Sequence, residues 1–320
     1  MSDLDIRPAL RECGGRSDIT AEPVRELLTG RDVPLGESTM VRRLLPNLGR
    51  RMIGAWCFVD HYGPDDIVDR PGMQVPPHPH TGLQTVSWLR DGEILHNDSL
   101  GSRQVLTPGT LGLMTAGSGI AHSEQSPRSH TATLHGAQLW IALPGEHRDV
   151  APAWEFHDRA PTETGGVTST VILGEFAGVA SPGTTYTPLV GAQLAVSGGT
   201  STSLPLERDF EYAALAVDGR VDVDGVAVEP GSLLYLGCGR SALPISADHD
   251  GVILLLGGEP FEEKIVMWWN FIGRTGDEIK RYRSDWEQGV GFPAVTGYEG
   301  DRLPAPKLPD LPLKPRGRAR

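Results

Sequence analysis

The stretch that decides the fold is LQTVSWLRDGEILHNDSLGSRQVLTPGTLGLMTAG (residues 83–117). It reads as a strand, an Asp-Gly turn, a second strand, a Pro-Gly turn and a further strand. The same order returns in LAVDGRVDVDGVAVEPGSLLYLGCG (residues 215–239), with the Asp-Gly and Pro-Gly pairs at matching places. An Asp-Gly pair between two β runs favours a tight hairpin, because both turn positions need positive φ. The repeat therefore predicts two related β domains in one chain.

Glycine and proline divide the rest of the chain into short pieces of strand character. The chain has 40 Gly and 26 Pro spread along its length. Many short strands with turn residues between them predict an all-β sandwich or barrel. One helix is predicted over residues 277–289, where Ile279, Tyr282 and Trp286 recur at helical spacing and Gly289 is a plausible stop.

Composition shifts suggest where the domains begin and end. Both ends of the chain are polar or Pro-rich, and such segments bury too little apolar surface to order themselves. A second Pro-rich, polar stretch near the middle indicates a linker. We therefore predict a flexible extension over 1–25, a first domain over 26–150, a linker over 151–165, a second domain over 166–300 and a basic tail over 301–320.

Charge and cysteine content narrow the class of protein. The 320-residue chain has a formal charge of −12, which disfavours nonspecific binding to nucleic acid or to anionic membranes. No apolar run approaches the ~20 residues that a membrane-spanning helix needs, and the first residues do not resemble a signal peptide. Three widely spaced cysteines indicate neither a disulfide framework nor a zinc knuckle. These features predict a cytoplasmic protein with no membrane segment and no direct nucleic-acid contact.

Two pairs of side chains could bind a metal. His78 and His80 form one pair, and 42 residues after His80 the pair His122 and Glu124 repeats the spacing. Residues i and i+2 of a strand share a face, and Pro79 suits an extended strand start. Three imidazoles and one carboxylate suit Fe(II), Mn, Ni, Cu or Zn better than Mg or Ca, and they leave about two positions open on an octahedral ion.

Spacing alone leaves a second interpretation open, in which these groups are packed or solvated polar residues. The histidines outside the two pairs are better explained as core or surface residues than as ligands. Of these, one (His61) is considered below as a pocket residue, and the others are His96, His130, His135, His147, His157 and His249.

The motifs around these pairs resemble the pirin family, a branch of the cupin superfamily. The resemblance is carried by HPHTG…GIAHSE (residues 78–124), FVDHYGP (58–64) and GEPFEEKIVMWWNFIGRTGDEIKRYRSDWEQG (258–289). It implies two face-to-face β-barrel (jelly-roll) cupin domains with a short C-terminal helix, and a metal in the first domain only. The implied ion is usually iron, and the implied ligands are His78, His80, His122 and Glu124. Gln84 departs from the Glu of many relatives, which removes a possible charge near the ion.

The resemblance also implies a function. Some family members are quercetin 2,3-dioxygenases, which implies that O₂ and a flavonol-like or other enol-bearing aromatic are substrates. Glu124 would then also accept a proton, and His61 and Met114 are candidates for the pocket mouth. Whether the chain is an enzyme stays open. The alternative is a redox-sensitive regulator that binds a transcription factor or a metabolic enzyme without turnover, and a third interpretation is a metal-stabilised protein without activity.

Overall fold

The structure is a computed structural model that describes residues 11–13, 23–35, 39–310 and 312–316. In these ranges the chain forms strands and a single α-helix. The first two strands pair with distant parts of the chain. These are β1 (Arg11–Cys13) and β2 (Glu26–Thr29). The all-β prediction is confirmed.

The N-terminal domain consists of two sheets that face each other. A seven-stranded sheet has the order β13-β10-β7-β12-β5-β4-β3, and a four-stranded sheet has the order β6-β11-β8-β9. The strands are β3 (Arg31–Leu35), β4 (Thr39–Leu45), β5 (Trp56–Asp66), β6 (Gln74–His80), β7 (Leu83–Asp91), β8 (Ile94–Asp98), β9 (Arg103–Leu106), β10 (Thr110–Thr115), β11 (Ile120–Gln125), β12 (Thr133–Ala142) and β13 (Ala153–Asp158).

The C-terminal domain repeats this plan. Its large sheet has the order β14-β15-β17-β24-β19-β22-β2 with β16 paired to β15, and its small sheet has the order β18-β23-β20-β21. The strands are β14 (Thr162–Thr164), β15 (Val167–Phe176), β16 (Val179–Ala180), β17 (Leu189–Val196), β18 (Thr200–Pro205), β19 (Glu211–Asp218), β20 (Val221–Val223), β21 (Val226–Val228), β22 (Ser232–Gly237), β23 (Ala242–Ala247) and β24 (Gly251–Gly258). In neither domain do ladder hydrogen bonds among the described residues join the two sheets into a closed barrel.

The two large sheets pack against each other, so the domains are face to face as expected. Trp56 on β5 donates from Nε1 to the carbonyls of Val190 and Gly257, each at 3.1 Å. Trp88 on β7 donates to Gln193 Oε1 on β17 at 3.0 Å. One continuous cluster of buried apolar side chains runs through both domains. The interface is therefore part of the hydrophobic core.

The strand pairing departs from the predicted domain boundaries at two places. Residues 26–29, assigned to the first domain, form β2 and pair with β22 of the second domain. The predicted linker contains β13, which extends the N-terminal sheet along β10, followed by β14, which pairs with β15. Trp154 and Phe156 on β13 supply alternating apolar side chains that pack on the N-terminal core. A segment that can cover an open sheet edge in this way becomes a strand in spite of its prolines.

The turns at the two Asp-Gly pairs only partly follow the prediction. Gly92 and Gly219 have φ of 95° and 61°, whereas neither Asp91 nor Asp218 is among the residues with positive φ. Asp91 and Asp218 instead end β7 and β19. The turns therefore form at the predicted places, but the expected hairpins are wrong, because β7 and β19 lie in the large sheets whereas the strands that follow them, β8 and β20, lie in the small sheets.

The chain closes with a small sheet and the predicted helix. β25 (Ile265–Trp268) pairs with β26 (Phe271–Gly273) and with β1. The helix α1 spans Gly276–Gln288 and buries Ile279, Tyr282 and Trp286. Thr275 and Glu278 form a capping box at its start, and Gly289 ends it with a φ of 70°. No helix in the described ranges is long and apolar enough to cross a membrane.

The tail, for which the sequence predicted no order, packs on the first domain in its described part. The backbone N–H of Leu303 donates to the Pro77 carbonyl at 2.9 Å, and Trp286 Nε1 donates to the Leu303 carbonyl at 2.8 Å. Ala305 and Leu313 are buried. Proline leaves few backbone donors to satisfy, so this segment needs only occasional hydrogen bonds to lie along the surface. At the other end, residues 11–13 form β1, and the rest of residues 1–22 lies outside the described residues.

Candidate metal centre

His78, His80 and His122 meet on the inner face of the small N-terminal sheet. β6 and β11 are antiparallel, with His122 opposite His78 and Ile120 opposite His80. Since alternate residues share a face, the three imidazoles point to the same side. β6 is an edge strand of this sheet, and an edge strand tolerates Pro79 because proline has no N–H for a ladder. The predicted convergence of the two motifs is therefore found in the structure.

The three rings form a compact triangle in the protein interior. Their centroids are 4.3 Å apart for His78 and His122, and 5.0 Å apart for each pair that includes His80. Each ring offers one nitrogen, and these three nitrogens all lie within 4.8 Å of one another. All three residues have 0% exposure. Within the described ranges, no other group of three or more His, Cys, Asp or Glu residues has its ligand atoms this close together.

Hydrogen bonds fix the protons of two of these imidazoles. His78 Nδ1 lies 2.8 Å from the Pro76 carbonyl, and His80 Nδ1 lies 3.1 Å from the Asn270 carbonyl. A carbonyl only accepts, so each Nδ1 carries the proton and each Nε2 is left with a lone pair. The Nε2 atoms of all three histidines are buried and have no hydrogen-bond partner. Buried polar atoms are rarely left in this state, and a divalent transition metal would satisfy all three.

Burial also keeps these imidazoles neutral. It lowers the pKa of His78 to about 3, and together with the neighbouring imidazoles it lowers the pKa of His80 and His122 well below the usual value. A histidine must be neutral to bind a metal ion. The electrostatics of the site and its geometry therefore agree with a His₃ metal centre.

Glu124 lies on the same face of β11 but is not one of the three groups in the cluster. It is fully buried, and Ser87 Oγ donates to its Oε1 at 2.8 Å. The register of β11 against β6 shifts between His122 and Glu124, so that Glu124 lies opposite Val75 on β6 and His96 on β8. Its assignment as a fourth ligand stays a prediction.

The other predicted residues have different surroundings. Met114 is fully buried on β10, opposite Thr85, on the face that Ser87 shares. His61 lies on β5 with its Nε2 atom 3.0 Å from Nε2 of His135. His61 also lines a small surface cavity, together with Arg42 of the first domain and Val217 of the second. His61 therefore lies at the interface between the domains. None of these contacts joins it to the histidine cluster, so its assignment to a substrate pocket stays a prediction.

Gln84 does not occupy the place that the sequence comparison suggested. Its Nε2 donates to Thr115 Oγ1 at 2.9 Å and to the Thr184 carbonyl at 3.0 Å. Gln84 and Ser87 are three residues apart on β7, and an odd separation places them on opposite faces. The expectation that Gln84 removes a charge next to the metal is therefore wrong.

The sequence analysis missed several residues around the cluster. The Asn270 carbonyl comes from a segment 190 residues away, which no local pattern could reveal. Trp140 lies edge-on to His80 at 5.0 Å and stacks on Phe58 at 4.1 Å. His96 contacts His122, and its signal was present in the sequence. His96 and Asp98 form a third i, i+2 pair like the two that were recognised.

Two sandwich domains packed face to face define a two-domain cupin, and the first domain contains a buried cluster of three histidines that could hold a metal ion. The Pirin family model matches residues 38–141, and the model of the Pirin C-terminal cupin domain matches residues 191–292. The chain belongs to the pirin family. The resemblance drawn from the sequence motifs is confirmed.

Similar proteins agree with this assignment. A Pseudomonas aeruginosa protein named "Putative quercetin 2,3-dioxygenase PA1205" is 45% identical over 302 residues, which cover 93% of this chain and 94% of that protein. Mouse pirin is 32% identical over 236 residues, which cover 71% and 79% of the two chains. The crystal structure of an Acinetobacter baumannii quercetin 2,3-dioxygenase has a TM-score of 0.87 at 42% identity, and the match covers 90% of this chain and 96% of that one.

Proposed function

We propose that this chain is a metal-dependent dioxygenase that binds one transition-metal ion, most readily Fe(II), and cleaves quercetin or a related enol-bearing aromatic with O₂. The observation that carries the proposal is the set of three converging, partnerless Nε2 atoms of His78, His80 and His122. The similarity to proteins named quercetin 2,3-dioxygenase supports the choice of substrate. Mn, Ni, Cu and Zn are the alternative ions that such a ligand set accepts.

The residues around the cluster have the chemistry that such a reaction needs. When bound, a redox-active divalent ion supplies Lewis acidity toward a substrate hydroxyl and electron transfer to O₂. Glu124 would take the proton of that hydroxyl, in addition to its predicted role as fourth ligand. Ser87 Oγ donates a hydrogen bond to Glu124 Oε1 at 2.8 Å and so helps to hold the carboxylate in place. Trp140 and Phe58 form an apolar wall beside His80, which suits an aromatic substrate.

Tyr62 adds a second polar group to the same interior. Its side chain is 1% exposed, and its hydroxyl has no hydrogen-bond partner. Burial, and then the charge of Glu124, raise the pKa of Tyr62 well above its usual value. The hydroxyl therefore keeps its proton and is available to donate to a substrate oxygen.

The test is turnover by the metal-loaded protein. Protein reconstituted without air with Fe(II), Mn(II), Ni(II), Cu(II) or Zn(II) is mixed with quercetin and O₂. Loss of the near-visible absorbance of quercetin and uptake of oxygen are then followed together. His78→Ala is expected to abolish both, whereas His249→Ala, which changes an exposed histidine of the second domain, is expected to leave both unchanged. Absence of turnover with every ion would reject the enzyme.

The second candidate keeps the metal but not the turnover. The observation in its favour is that all three imidazoles and Glu124 have 0% exposure, which suits an ion that is held rather than offered to substrate. In this case the chain is a redox-sensitive regulator of a transcription factor or a metabolic enzyme. A partner recovered by the full chain in only one oxidation state, without quercetin turnover, would favour it. A metal that stabilises the fold with neither property would favour the structural interpretation.

The setting in which we expect either function is the cytoplasm. The three cysteines are odd in number and widely spaced in the sequence, which predicts no disulfide framework and fits a reducing compartment. The formal charge of −12 favours a small molecule or a protein as partner over direct contact with nucleic acid.

A further inference from the structure

Two side chains on β8 continue the metal centre behind His122. The Nδ1 atom of His96 lies 3.4 Å from Nδ1 of His122, and Nε2 of His96 lies 3.1 Å from Oδ2 of Asp98. His96 and Asp98 are each 1% exposed. β8 and β11 are neighbouring strands, with Asp98 opposite His122 and His96 opposite Glu124. The three side chains therefore form a buried chain that ends at one candidate ligand.

Asp98 is held firmly as the far end of this chain. Its Oδ1 accepts hydrogen bonds from the backbone N–H groups of Leu100 and Ser102, each at 2.9 Å. Burial alone would raise the pKa of Asp98, but hydrogen bonds from His96 and Ser102 outweigh it and lower the pKa below its usual value. Both oxygens of Asp98 are therefore placed as acceptors, Oδ1 for the two backbone N–H groups and Oδ2 for Nε2 of His96.

With Asp98 as the acceptor and His96 neutral, these contacts assign the proton positions from Asp98 to His122. Because Asp98 only accepts, His96 must carry a proton on Nε2. A neutral imidazole with its proton on Nε2 has a lone pair on Nδ1, so His96 accepts from Nδ1–H of His122. The proton of His122 is then on Nδ1, and its Nε2 has the lone pair. A carbonyl gives His78 and His80 the same tautomer directly, whereas His122 receives it through a second imidazole.

The ring of His96 is also fixed in its plane. Trp154 stacks on it with a centroid distance of 3.7 Å and an interplanar angle of 9°. Trp154 belongs to β13, where it lies opposite Met114 of β10. The strand that replaces the predicted linker therefore supports a residue that contacts the metal centre. Stacking on one face and hydrogen bonds at both ring nitrogens leave His96 little freedom to turn.

We propose that Asp98 and His96 are positioning residues that set the tautomer of His122, so that its Nε2 presents a lone pair to the metal. The proposal rests on the proposed metal site, but it concerns residues that do not touch the ion. Groups that hold a metal-bound histidine typically affect metal affinity by about 10- to 100-fold. β8 therefore contributes to metal binding without supplying a ligand.

The first test is the affinity of the full-length protein for Zn(II), measured by competition with a chelator. Asp98→Asn gives His96 a partner that can also donate, and His96→Phe removes the acceptor while keeping a ring to stack on Trp154. Each is expected to weaken Zn(II) binding by about 10- to 100-fold. His96→Gln retains a possible acceptor for His122 and is expected to lose less than His96→Phe.

A matched control comes from β13, where His157 Nε2 lies 3.2 Å from Glu155 Oε2 at the same i, i+2 spacing. No candidate ligand contacts this second pair. Glu155→Gln and His157→Phe are therefore expected to leave Zn(II) affinity within about twofold of the unaltered protein. Equal affinity in the β8 variants and in these controls, with one Zn(II) bound to the unaltered chain, would overturn the proposal.

The second test reads the tautomer itself. In protein labelled with ¹⁵N-histidine, long-range ¹H–¹⁵N spectra distinguish a ring protonated at Nδ1 from one protonated at Nε2. We expect His122 to be protonated at Nδ1 and His96 at Nε2, with and without Zn(II). A proton on Nε2 of His122 in the metal-free protein would overturn the proposal even if the variants fail to fold. Failure of the unaltered protein to bind any metal would reject the proposed metal site, and the spectra would still decide the tautomer.

Discussion

The small sheets of the two domains have the same strand order, but their inner faces differ: the face is polar in the first domain and apolar in the second. β6-β11-β8-β9 corresponds to β18-β23-β20-β21, and in each sheet the second strand lies between the first and the third. Every second residue of β11 gives Ile120, His122 and Glu124, whereas every second residue of β23 gives Leu243, Ile245 and Ala247. All six are buried. The same backbone plan therefore carries a polar site in one domain and a hydrophobic core in the other.

The comparison teaches that the fold itself does not require the polar cluster. Burying imidazoles and carboxylates costs free energy unless each polar atom finds a partner. The second domain avoids this cost with a continuous apolar cluster. The first domain incurs this free-energy cost, and hydrogen bonds from β8, β7 and the closing segment offset most of it. Among the buried atoms that remain without partners, the three Nε2 atoms of the cluster are those that a metal would satisfy.

The largest effect is expected from giving β6 the apolar character of the second domain. His78→Leu/His80→Leu is expected to reduce metal content from about one ion per chain to about none, because two of the three ligands are lost. The free energy of unfolding of the metal-free protein should fall by no more than about 2 kcal/mol, since leucine fills the space and only two carbonyls lose a partner. Elemental analysis and urea unfolding measure the two quantities.

The control for this double variant is His249→Leu, at an exposed site of the second domain. It should keep its metal and its stability. Metal retained at the original stoichiometry by the double variant would show that the ion binds elsewhere.

The next largest effect is expected at a charged pair inside the first domain. Arg43 binds Asp60 through two hydrogen bonds of 2.9 and 2.8 Å, and both side chains are almost fully buried. Asp60→Ala leaves a buried guanidinium without its carboxylate, which typically costs about 3–5 kcal/mol of the free energy of unfolding. Chemical unfolding of the two proteins measures this cost.

The exposed pair of Arg42 on β4 and Asp32 on β3 supplies the control, with side chains 43% and 60% exposed. Asp32→Ala should cost at most about 1 kcal/mol. Similar losses of unfolding free energy in the two variants would mean that the interior of the first domain tolerates an unpaired charge as well as its surface does.

Much of this comparison could be predicted from the sequence. The repeated order of strands and turns predicted two related domains, and the i, i+2 pairs predicted which side chains share a face, because the period of a strand is two residues. The second domain contains no such pair of histidines, which agrees with its apolar inner face. Helix α1 was predicted within a residue or two of its bounds, since its apolar period and Gly289 are both local signals.

What the sequence did not reveal depends on contacts between distant residues. The carbonyl of Asn270, the stacking of Trp154 on His96 and the pairing of β2 with the second domain all join parts of the chain that no local pattern connects. Gln84 was misjudged because its side of β7 depends on the register, which its spacing from His80 across a turn does not fix. His96 could have been recognised, because its pair with Asp98 has the same spacing as the pairs that contain the candidate ligands.

The next prediction concerns the contribution of Glu124, on the polar face of β11, to metal affinity. Glu124→Gln keeps the size of the side chain and removes its charge, so we expect Fe(II) and Zn(II) to bind about tenfold or more weakly if the carboxylate is a ligand or neighbours the ion. Chelator competition measures both affinities. Ser87→Ala, which removes the hydrogen bond to Oε1, should have a smaller effect in the same direction. Unchanged stoichiometry and affinity in Glu124→Gln would remove Glu124 from the ligand set.

A pH-dependent effect is expected on the opposite face of the first domain, at the interface with the second domain. Burial, and then His135 and Arg42, lower the pKa of His61 to about 4, against about 6.5 in an unfolded chain. Between these two values the unfolded chain takes up a proton that the folded chain does not. The stability contributed by neutral His61 is therefore complete above about pH 6.5 and is lost as the pH falls toward about 4. His61→Gln should reduce this pH dependence by up to about one proton, measured by urea unfolding between about pH 7 and about pH 4.5. His249→Gln, at an exposed site, should leave the pH dependence of the unfolding free energy unchanged. The same pH dependence in His61→Gln as in the unaltered protein would show that the interface between the domains opens to water before His61 is protonated.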